Sequence, residues 1–163
     1  MISTQMGDFV VIAGPAGVFR VCLPGAAPAI DGPWPQLRDG SLDSAGLADD
    51  AADQLAGWFA GDRREFTVPV DLGAVSAFQL RVLEAAREIP FGETTSYRDM
   101  AIAAGSPGAV RAAGTAMGAN PVPILIPWHR VIRSDGSAGM YGGGEELKRW
   151  LLAFEAAANA RMA

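Results

Sequence analysis

The sequence predicts an α+β protein with two domains, a small antiparallel-sheet domain over residues 1–70 and a helical domain over residues 71–163. The first prediction comes from apolar runs on either side of a Gly-Pro turn, because such runs favour paired strands. The second comes from apolar residues at helical spacing in most of the remaining chain. Two of these helices are short and are joined by a glycine, which is typical of a helix-turn-helix.

The N-terminal part contains a predicted hairpin followed by a helix. Phe9–Ala13 and Val18–Leu23 are apolar, and the turn residues Gly14–Gly17 lie between them. This arrangement predicts two antiparallel strands. Leu47–Ala60 carries apolar side chains at helical spacing, and we expect this helix to end at Gly61.

Two segments around that helix lack a helical pattern. The stretch Pro24–Gly46 is rich in Pro, Gly and Asp, which predicts a loop. Phe66–Val70 is predicted to be a short edge strand, because Pro69 has no N–H to donate inside a sheet. The single cysteine, Cys22, lies in the hairpin, and we expect it to be a buried core residue.

The C-terminal part is predicted to contain four helices, each marked by a capping residue or a helix breaker. Their boundaries are Ser76 to Pro90, Thr94 or Thr95 to Gly105, Ser106-Pro107 onward, and about Glu145 onward. The third of these helices, PGAVRAAGTAMGAN, has one large polar side chain, Arg111. A face of Ala, Gly and Thr permits close approach to another surface, and a lone Arg can reach across the gap. A buried helix with one solvated Arg has the same composition, so both interpretations stay open.

The net charge of −5 is distributed unevenly. The acidic excess lies in residues 1–70, whereas residues 71–163 hold nine acidic and nine basic side chains. No Asp or Glu occurs between Asp99 and Asp135. The arginines of that interval are Arg111, Arg130 and Arg133. An acid-free face bearing arginines suits phosphate contacts, although three arginines are also an ordinary number for such a stretch.

Several classes of protein are disfavoured by what the sequence contains. One Cys and one His exclude an internal disulfide framework and argue against a structural zinc site. No apolar run has the length of a membrane span, and the N-terminus MISTQMGDFV lacks the pattern of a signal peptide. We therefore expect a cytoplasmic monomer that uses no metal or cofactor and does not bind membranes.

Six short strings between residues 89 and 155 occur in a distinctive order. They are IPFGETTSY, AVRAAG, NPVPILIP, HRVI, GMYGG and WLLAFE. In this order they resemble the O6-alkylguanine-DNA alkyltransferase family. The resemblance extends loosely into the first 70 residues through Asp53–Leu55 and Trp58–Gly61, and it implies that the N-terminal domain is RNase H-like.

One position departs from the family's pattern. The family's signature is Pro-Cys-His-Arg-Val, whose Cys thiolate takes the alkyl group from guanine O6, and this chain has Trp128 in place of that Cys. Indole is a hydrogen-bond donor and does not ionise near neutral pH as a thiol does. His129 and Glu155 match the family's remaining dyad. By this resemblance we expect no catalytic residue and no enzyme activity, as in the alkyltransferase-like proteins.

The resemblance also implies which residues bind DNA. Arg111 would fill the space left by a base that leaves the stack, and Tyr97 would help to rotate the nucleotide. The nucleic-acid-binding residues implied are Tyr97, Arg111, Thr95, Ala112 and Gly114. The helix pair would then approach the minor groove rather than the major groove.

A second set of residues is implied for the lesion pocket. Its members are Trp128, Tyr141, Met117, Gly142 and Val131. Trp128 either lines this pocket and contacts the alkylated base or fills it and blocks entry, and Met117 suits core packing equally well. Asn120 is implied to brace the turn after the recognition helix through bonds to the backbone.

The resemblance predicts a protein that binds double-stranded DNA containing O6-alkylguanine. It would flip the base from the minor groove, leave the alkyl group in place and signal to nucleotide excision repair proteins. Three alternatives stay open. They are a catalytically dead or engineered variant of methylated-DNA–protein-cysteine methyltransferase, a plain DNA-binding module with a blocked pocket, and residual alkyl transfer through another residue.

Overall fold

The computed structural model describes residues 1–26, 44–139 and 144–161. The chain forms two compact units, which divide at Val75, except that Pro121–Pro123 belongs to the first unit. The small antiparallel sheet and the helical remainder confirm the predicted α+β class. The boundary between residues 70 and 71 stays a prediction about domains. Within the described residues, no helix is long and apolar enough to cross a membrane.

The sheet of the first unit has three strands in the order β1 (Ile2–Thr4), β2 (Gly7–Gly14) and β3 (Gly17–Cys22). β2 and β3 pair antiparallel, which confirms the predicted hairpin, whereas β1 was not predicted. The helix α1 (Ser44–Ala60) confirms the predicted helix but begins inside the segment predicted as a loop. The remainder of that loop prediction falls largely on residues 27–43, outside the described residues.

The predicted edge strand Phe66–Val70 is wrong. Only Val70 forms an isolated bridge, with Val18 of β3. The side-chain oxygen of the buried Gln54 accepts hydrogen bonds from the N–H groups of Thr67, at 2.9 Å, and Val68, at 3.3 Å. Because a side chain of α1 takes these two donors, Thr67 and Val68 do not pair with a strand, and pairing with β3 is limited to the bridge at Val70. Cys22 is buried as a free cysteine, as predicted.

In its described residues, the second unit contains four α-helices and a short parallel sheet. In chain order its elements are α2 (Ala77–Arg87), β4 (Thr95–Ser96), α3 (Tyr97–Ala103), α4 (Val110–Gly118), a 3₁₀ turn (Trp128–Arg130), β5 (Val131–Ile132) and α5 (Gly144–Ala160). β4 and β5 pair in parallel. Helices α2, α3 and α4 pack on one another, and their buried faces include Leu83, Met100 and Met117.

Two helix starts differ from the prediction. The cap of α3 is Ser96 rather than Thr94 or Thr95, and its hydroxyl accepts a hydrogen bond from the Asp99 N–H at 3.1 Å. Thr95 is extended in β4 because it pairs with Val131. The helix α4 begins at Val110 rather than at Pro107, since a turn closed by the Ala109 N–H and the Ser106 carbonyl precedes it.

Two other helix boundaries are confirmed. Ser76 caps α2 by accepting a hydrogen bond from the Gln79 N–H at 3.2 Å. Gly105, with a φ of +73°, follows α3 in the left-handed conformation that glycine adopts readily. Two short helices, α3 and α4, are thus joined by a segment that contains Gly105, and their assignment as a helix-turn-helix stays a prediction.

Candidate functional site

The segment before Trp128 is held in place by its own backbone and by one side chain. Asn120, which follows α4, donates a hydrogen bond from Nδ2 to the Ile126 carbonyl at 3.0 Å. Ile124 has a φ of +74°, a conformation that β-branched residues rarely adopt. Trp128 donates its N–H to the Ile126 carbonyl at 2.8 Å, and the Arg130 N–H donates to the Pro127 carbonyl at 3.0 Å, which closes the 3₁₀ turn. The turn thereby directs its side chains into the second unit.

Two consecutive residues of this turn reach the same carboxylate. His129 Nε2 lies 2.8 Å from Glu155 Oε1, and Arg130 Nη2 lies 2.8 Å from the same oxygen. Arg130 Nε lies 3.0 Å from Glu155 Oε2, so the guanidinium binds the carboxylate in a bidentate fashion. Arg130 also donates to the Ile89 carbonyl at 2.6 Å. All three charged or polar side chains are buried.

The backbone completes the environment of Glu155. The Gly92 N–H donates to Glu155 Oε2 at 2.8 Å. Gly92 has a φ of +80°, a conformation that residues with a Cβ rarely adopt, and a Cβ atom there would also displace the side-chain amide of Asn159. This position of the loop after α2 therefore favours glycine.

The charges of this network are set by burial and by close partners. Burial raises the pKa of Glu155, but the hydrogen bonds and charges of His129 and Arg130 outweigh burial and lower that pKa to about 2. Burial is also the main influence on His129, and it lowers the pKa of the imidazole below its usual value. At neutral pH, Glu155 is therefore ionised and His129 is neutral. Because an ionised carboxylate can only accept, neutral His129 donates from Nε2.

A lysine lies next to Trp128. Lys148 of α5 is buried, and its Nζ donates to the Val131 carbonyl at 2.6 Å and to the Tyr97 hydroxyl at 3.2 Å. The same Nζ lies 5.5 Å from the centre of the Trp128 ring system and 5.4 Å from that of the Tyr97 ring. Burial and the charge of Arg133 lower the pKa of Lys148 to about 8.

The residues predicted to bind DNA lie on α3, α4 and β4. Arg111 and Ala112 are exposed on α4, and Thr95 is half-buried in β4. Gly114 faces the half-buried ring of Tyr97, since a Cβ atom at Gly114 would lie 3.8 Å from that ring. Burial raises the pKa of the Tyr97 phenol, which therefore stays protonated at neutral pH.

The residues predicted to form the lesion pocket are all buried where the structure describes them. Trp128, Met117 and Val131 have no exposed surface. Tyr141 and Gly142 lie outside the described residues. Because no atom of the Trp128 indole is exposed, a base can contact it only after the indole or its neighbours move. In the described part of the chain, the indole therefore lines no open cavity in this conformation.

Two residues of this site, Lys148 and Arg130, were missed as site residues. Lys148, Leu151 and Glu155 follow one another at intervals of three and four positions, so they share one face of α5. That spacing could have predicted that Lys148 is buried on the same face of α5 as Glu155. Nothing in the sequence indicated that the Gly92 N–H donates a hydrogen bond to Glu155. Among the described residues there is no cluster of His, Cys, Asp and Glu that could hold a metal ion.

Known proteins share both the sequence and the fold of this chain. Residues 77–157 match the family model of the 6-O-methylguanine DNA methyltransferase DNA-binding domain. A methylated-DNA–protein-cysteine methyltransferase of Mycolicibacterium paratuberculosis is 43% identical over 77% of this chain and 76% of its own. The enzyme of the same name from Mycobacterium bovis is 50% identical over 64% of this chain and 63% of its own length. A crystal structure of Mycobacterium tuberculosis OGT in complex with DNA has a TM-score of 0.80 at 36% identity and covers 96% of this chain and 91% of that one.

These matches define a DNA-binding protein of the DNA repair class. The chain belongs to the O6-alkylguanine-DNA alkyltransferase family.

The same relatives contradict one expectation. We expected the chain not to be an enzyme because Trp128 stands where the family has its Cys. Relatives that are 43% and 50% identical to this chain are named methyltransferases, and a categorical exclusion of enzyme activity is therefore wrong. The relation to these enzymes also favours the alternative, a variant of methylated-DNA–protein-cysteine methyltransferase, over the predicted separate class of lesion sensor.

Proposed function

We propose that this chain is a variant of methylated-DNA–protein-cysteine methyltransferase that binds DNA containing O6-alkylguanine and has Trp128 at the alkyl-acceptor position. The observation that carries this proposal is the intact surrounding of that position. His129, Arg130 and Glu155 form one buried network directly after Trp128. A segment that had drifted away from the family's site would not need to keep a buried carboxylate with three partners.

The proposed DNA-binding surface is the pair of helices α3 and α4. Arg111 extends from a helix whose other exposed side chains include the small Ala112 and Thr115. Small side chains let a helix lie close to a groove, so the guanidinium can reach between bases. We propose that Arg111 replaces the base that leaves the stack and that Tyr97 contacts the rotated nucleotide.

A gel-shift experiment tests this binding. Two duplexes of the same sequence, one with O6-methylguanine and one with guanine, are compared at fixed salt concentration, and we expect tighter binding of the methylated duplex. Arg111→Ala should weaken that binding about tenfold or more, because it removes both a charge and the group that fills the vacancy. Arg87→Ala, which removes a charge from an exposed position of α2, is the matched control.

Two results would contradict the proposal. Equal affinity for both duplexes would rule out lesion recognition. Binding of unmodified DNA that is unchanged in Arg111→Ala would favour a plain DNA-binding module with a blocked pocket.

Alkyl transfer is tested separately by mass spectrometry of the protein after incubation with the methylated duplex. The amount of methyl adduct on Trp128→Cys should be at least about ten times that on the parent chain, because a thiolate is a much better nucleophile than an indole. Trp128→Ser opens a similar space without an ionisable sulfur and is the control. If Trp128→Cys takes up no methyl group, the thiol is out of register with His129 and Glu155.

A second candidate function is the recruitment of nucleotide excision repair proteins to the bound lesion. The residue type at the acceptor position favours it, since indole does not ionise near neutral pH as a thiol does, so a bound lesion would keep its alkyl group for other proteins to remove. The measurement is incision of an O6-alkylguanine duplex by purified excision repair proteins with and without this chain. If this chain does not increase incision, the candidate function is excluded. The monomeric state and the cytoplasmic location stay predictions.

A further inference from the structure

The environment of Lys148 is unusual for a lysine. Lysine is seldom fully buried, because an ammonium loses its hydration there. Lys148 has no exposed surface, and its Nζ donates to the backbone carbonyl of Val131 and to the Tyr97 hydroxyl. Val131 is the first residue after the turn that contains Trp128. Lys148 is therefore fixed to the backbone that carries the indole.

The same ammonium also contacts two aromatic rings. It lies within 6 Å of the ring centres of both Trp128 and Tyr97, at 5.5 Å and 5.4 Å. A cation is attracted to an aromatic face, most strongly to that of Trp, and the attraction is greatest where water is excluded. Because Trp128 and Lys148 are both fully buried, their contact has this favourable environment.

We propose that Lys148 is a positioning residue that holds the Trp128 indole in its buried place and thereby limits the entry of an alkylated base. The ammonium binds the indole through its ring and the following backbone through the Val131 carbonyl. An entering base must move the indole out of its contact with Lys148. The statement about base entry rests on the proposed function, whereas the statement about the indole does not.

The indole is observed directly by NMR through its Nε1–H signal, which Trp128→Phe assigns. In Lys148→Met, which keeps an unbranched chain without the charge, we expect the Trp128 Nε1–H to exchange with water about tenfold faster. Lys148→Arg keeps a cation and should stay within a factor of about three of the parent chain. Thermal unfolding of each variant shows whether it is folded, and the comparison uses only temperatures at which all are folded.

The pH dependence separates positioning from simple packing. Lys148 loses its proton as the pH rises through about 8, so the Trp128 Nε1–H chemical shift should titrate between pH 7 and 9 in the parent chain and not in Lys148→Met. Three other described groups around this lysine have shifted pKa values, and none of them titrates in that window. The pKa of Tyr97 is raised above its usual 10.0, that of His129 is lowered below 6.5, and that of Glu155 is about 2. The remaining charged side chain that acts on Lys148 is the guanidinium of Arg133.

Base entry is tested by the ratio of the affinities for methylated and unmethylated duplex. We expect Lys148→Met to increase this ratio several-fold, and to have no effect in a Trp128→Leu background, which lacks the ring. Unchanged exchange and an unchanged pH titration in Lys148→Met would overturn the positioning role. Faster exchange with an unchanged ratio would overturn the limit on base entry. If neither the parent chain nor any variant prefers methylated DNA, the proposed function fails while the exchange data still decide the role of Lys148.

Discussion

At the scale of single residues, the site depends on side chains that are far apart in sequence and share one carboxylate. His129 and Glu155 could be predicted as partners because the strings around them resemble those of a known family. Arg130 could not, since nothing in HRVI shows that two consecutive side chains of a tight turn both bind Glu155. The sequence also left open whether Trp128 lines its site, which the resemblance favoured, or fills it, and the structure adds that the indole is buried in this conformation.

Arg130→Met should lower the free energy of unfolding by about 3–5 kcal/mol, because it leaves a buried carboxylate without its bidentate partner. It also removes the donor to the Ile89 carbonyl. Urea denaturation at pH 7 measures the change. Arg149→Met is the control, since its ion pair with Glu145 is largely exposed, and we expect a change of less than about 1 kcal/mol. Equal effects of the two substitutions would show that the buried network contributes no special stability.

At the scale of helices and strands, local signals were predictive and long-range pairing was not. The helix α2 was predicted well because its cap, Ser76, lies beside the helix and Pro90 closely follows its end. The start of α3 was wrong because Thr95 pairs with Val131, which is distant in sequence. The predicted strand at Phe66–Val70 failed for a similar reason, since its donors are taken by Gln54 of α1.

Ser76→Ala should lower the free energy of unfolding by about 1 kcal/mol, because the Gln79 N–H loses its acceptor at the start of α2. Ser76→Asp keeps an acceptor there and places a negative charge at the helix N-terminus, so we expect little or no loss. Chemical denaturation of both variants provides the measurement. A loss in Ser76→Asp as large as that in Ser76→Ala would mean that the cap is not the cause.

At the scale of the whole molecule, the fold class was predictable because strand and helix patterns divide cleanly along the chain. The two compact units were less so, since Pro121–Pro123 belongs to the first unit although the surrounding chain belongs to the second. No periodic pattern indicates such a return.

The free energy of unfolding should depend on pH in two ranges, one acidic and one alkaline. As the pH falls below about 6.5, stability should fall, because the unfolded chain binds a proton at His129 more readily than the folded chain does. Between about pH 4.5 and 2, it should fall further, because Glu155 is protonated in the unfolded chain before it is in the folded one. From about pH 8 to 10.5, stability should rise, because Lys148 releases its proton in the folded chain before it does so in the unfolded one. Urea midpoints across this range give the profile, and Lys148→Met should remove the alkaline rise. An alkaline rise that persists in this variant would assign it to another group.

The position of Pro121 in the chain determines when, during synthesis, the N-terminal sheet can complete its hydrogen bonds. Its carbonyl accepts a hydrogen bond from the Val21 N–H at 2.9 Å, at the β3 side of the sheet. A ribosome must therefore extend the polypeptide by about a hundred further residues before this N–H can find its acceptor. By then α2, α3 and α4 have also been synthesised. The N-terminal sheet thus reaches its final form late, and a fragment released after residue 75 would lack part of its own first unit.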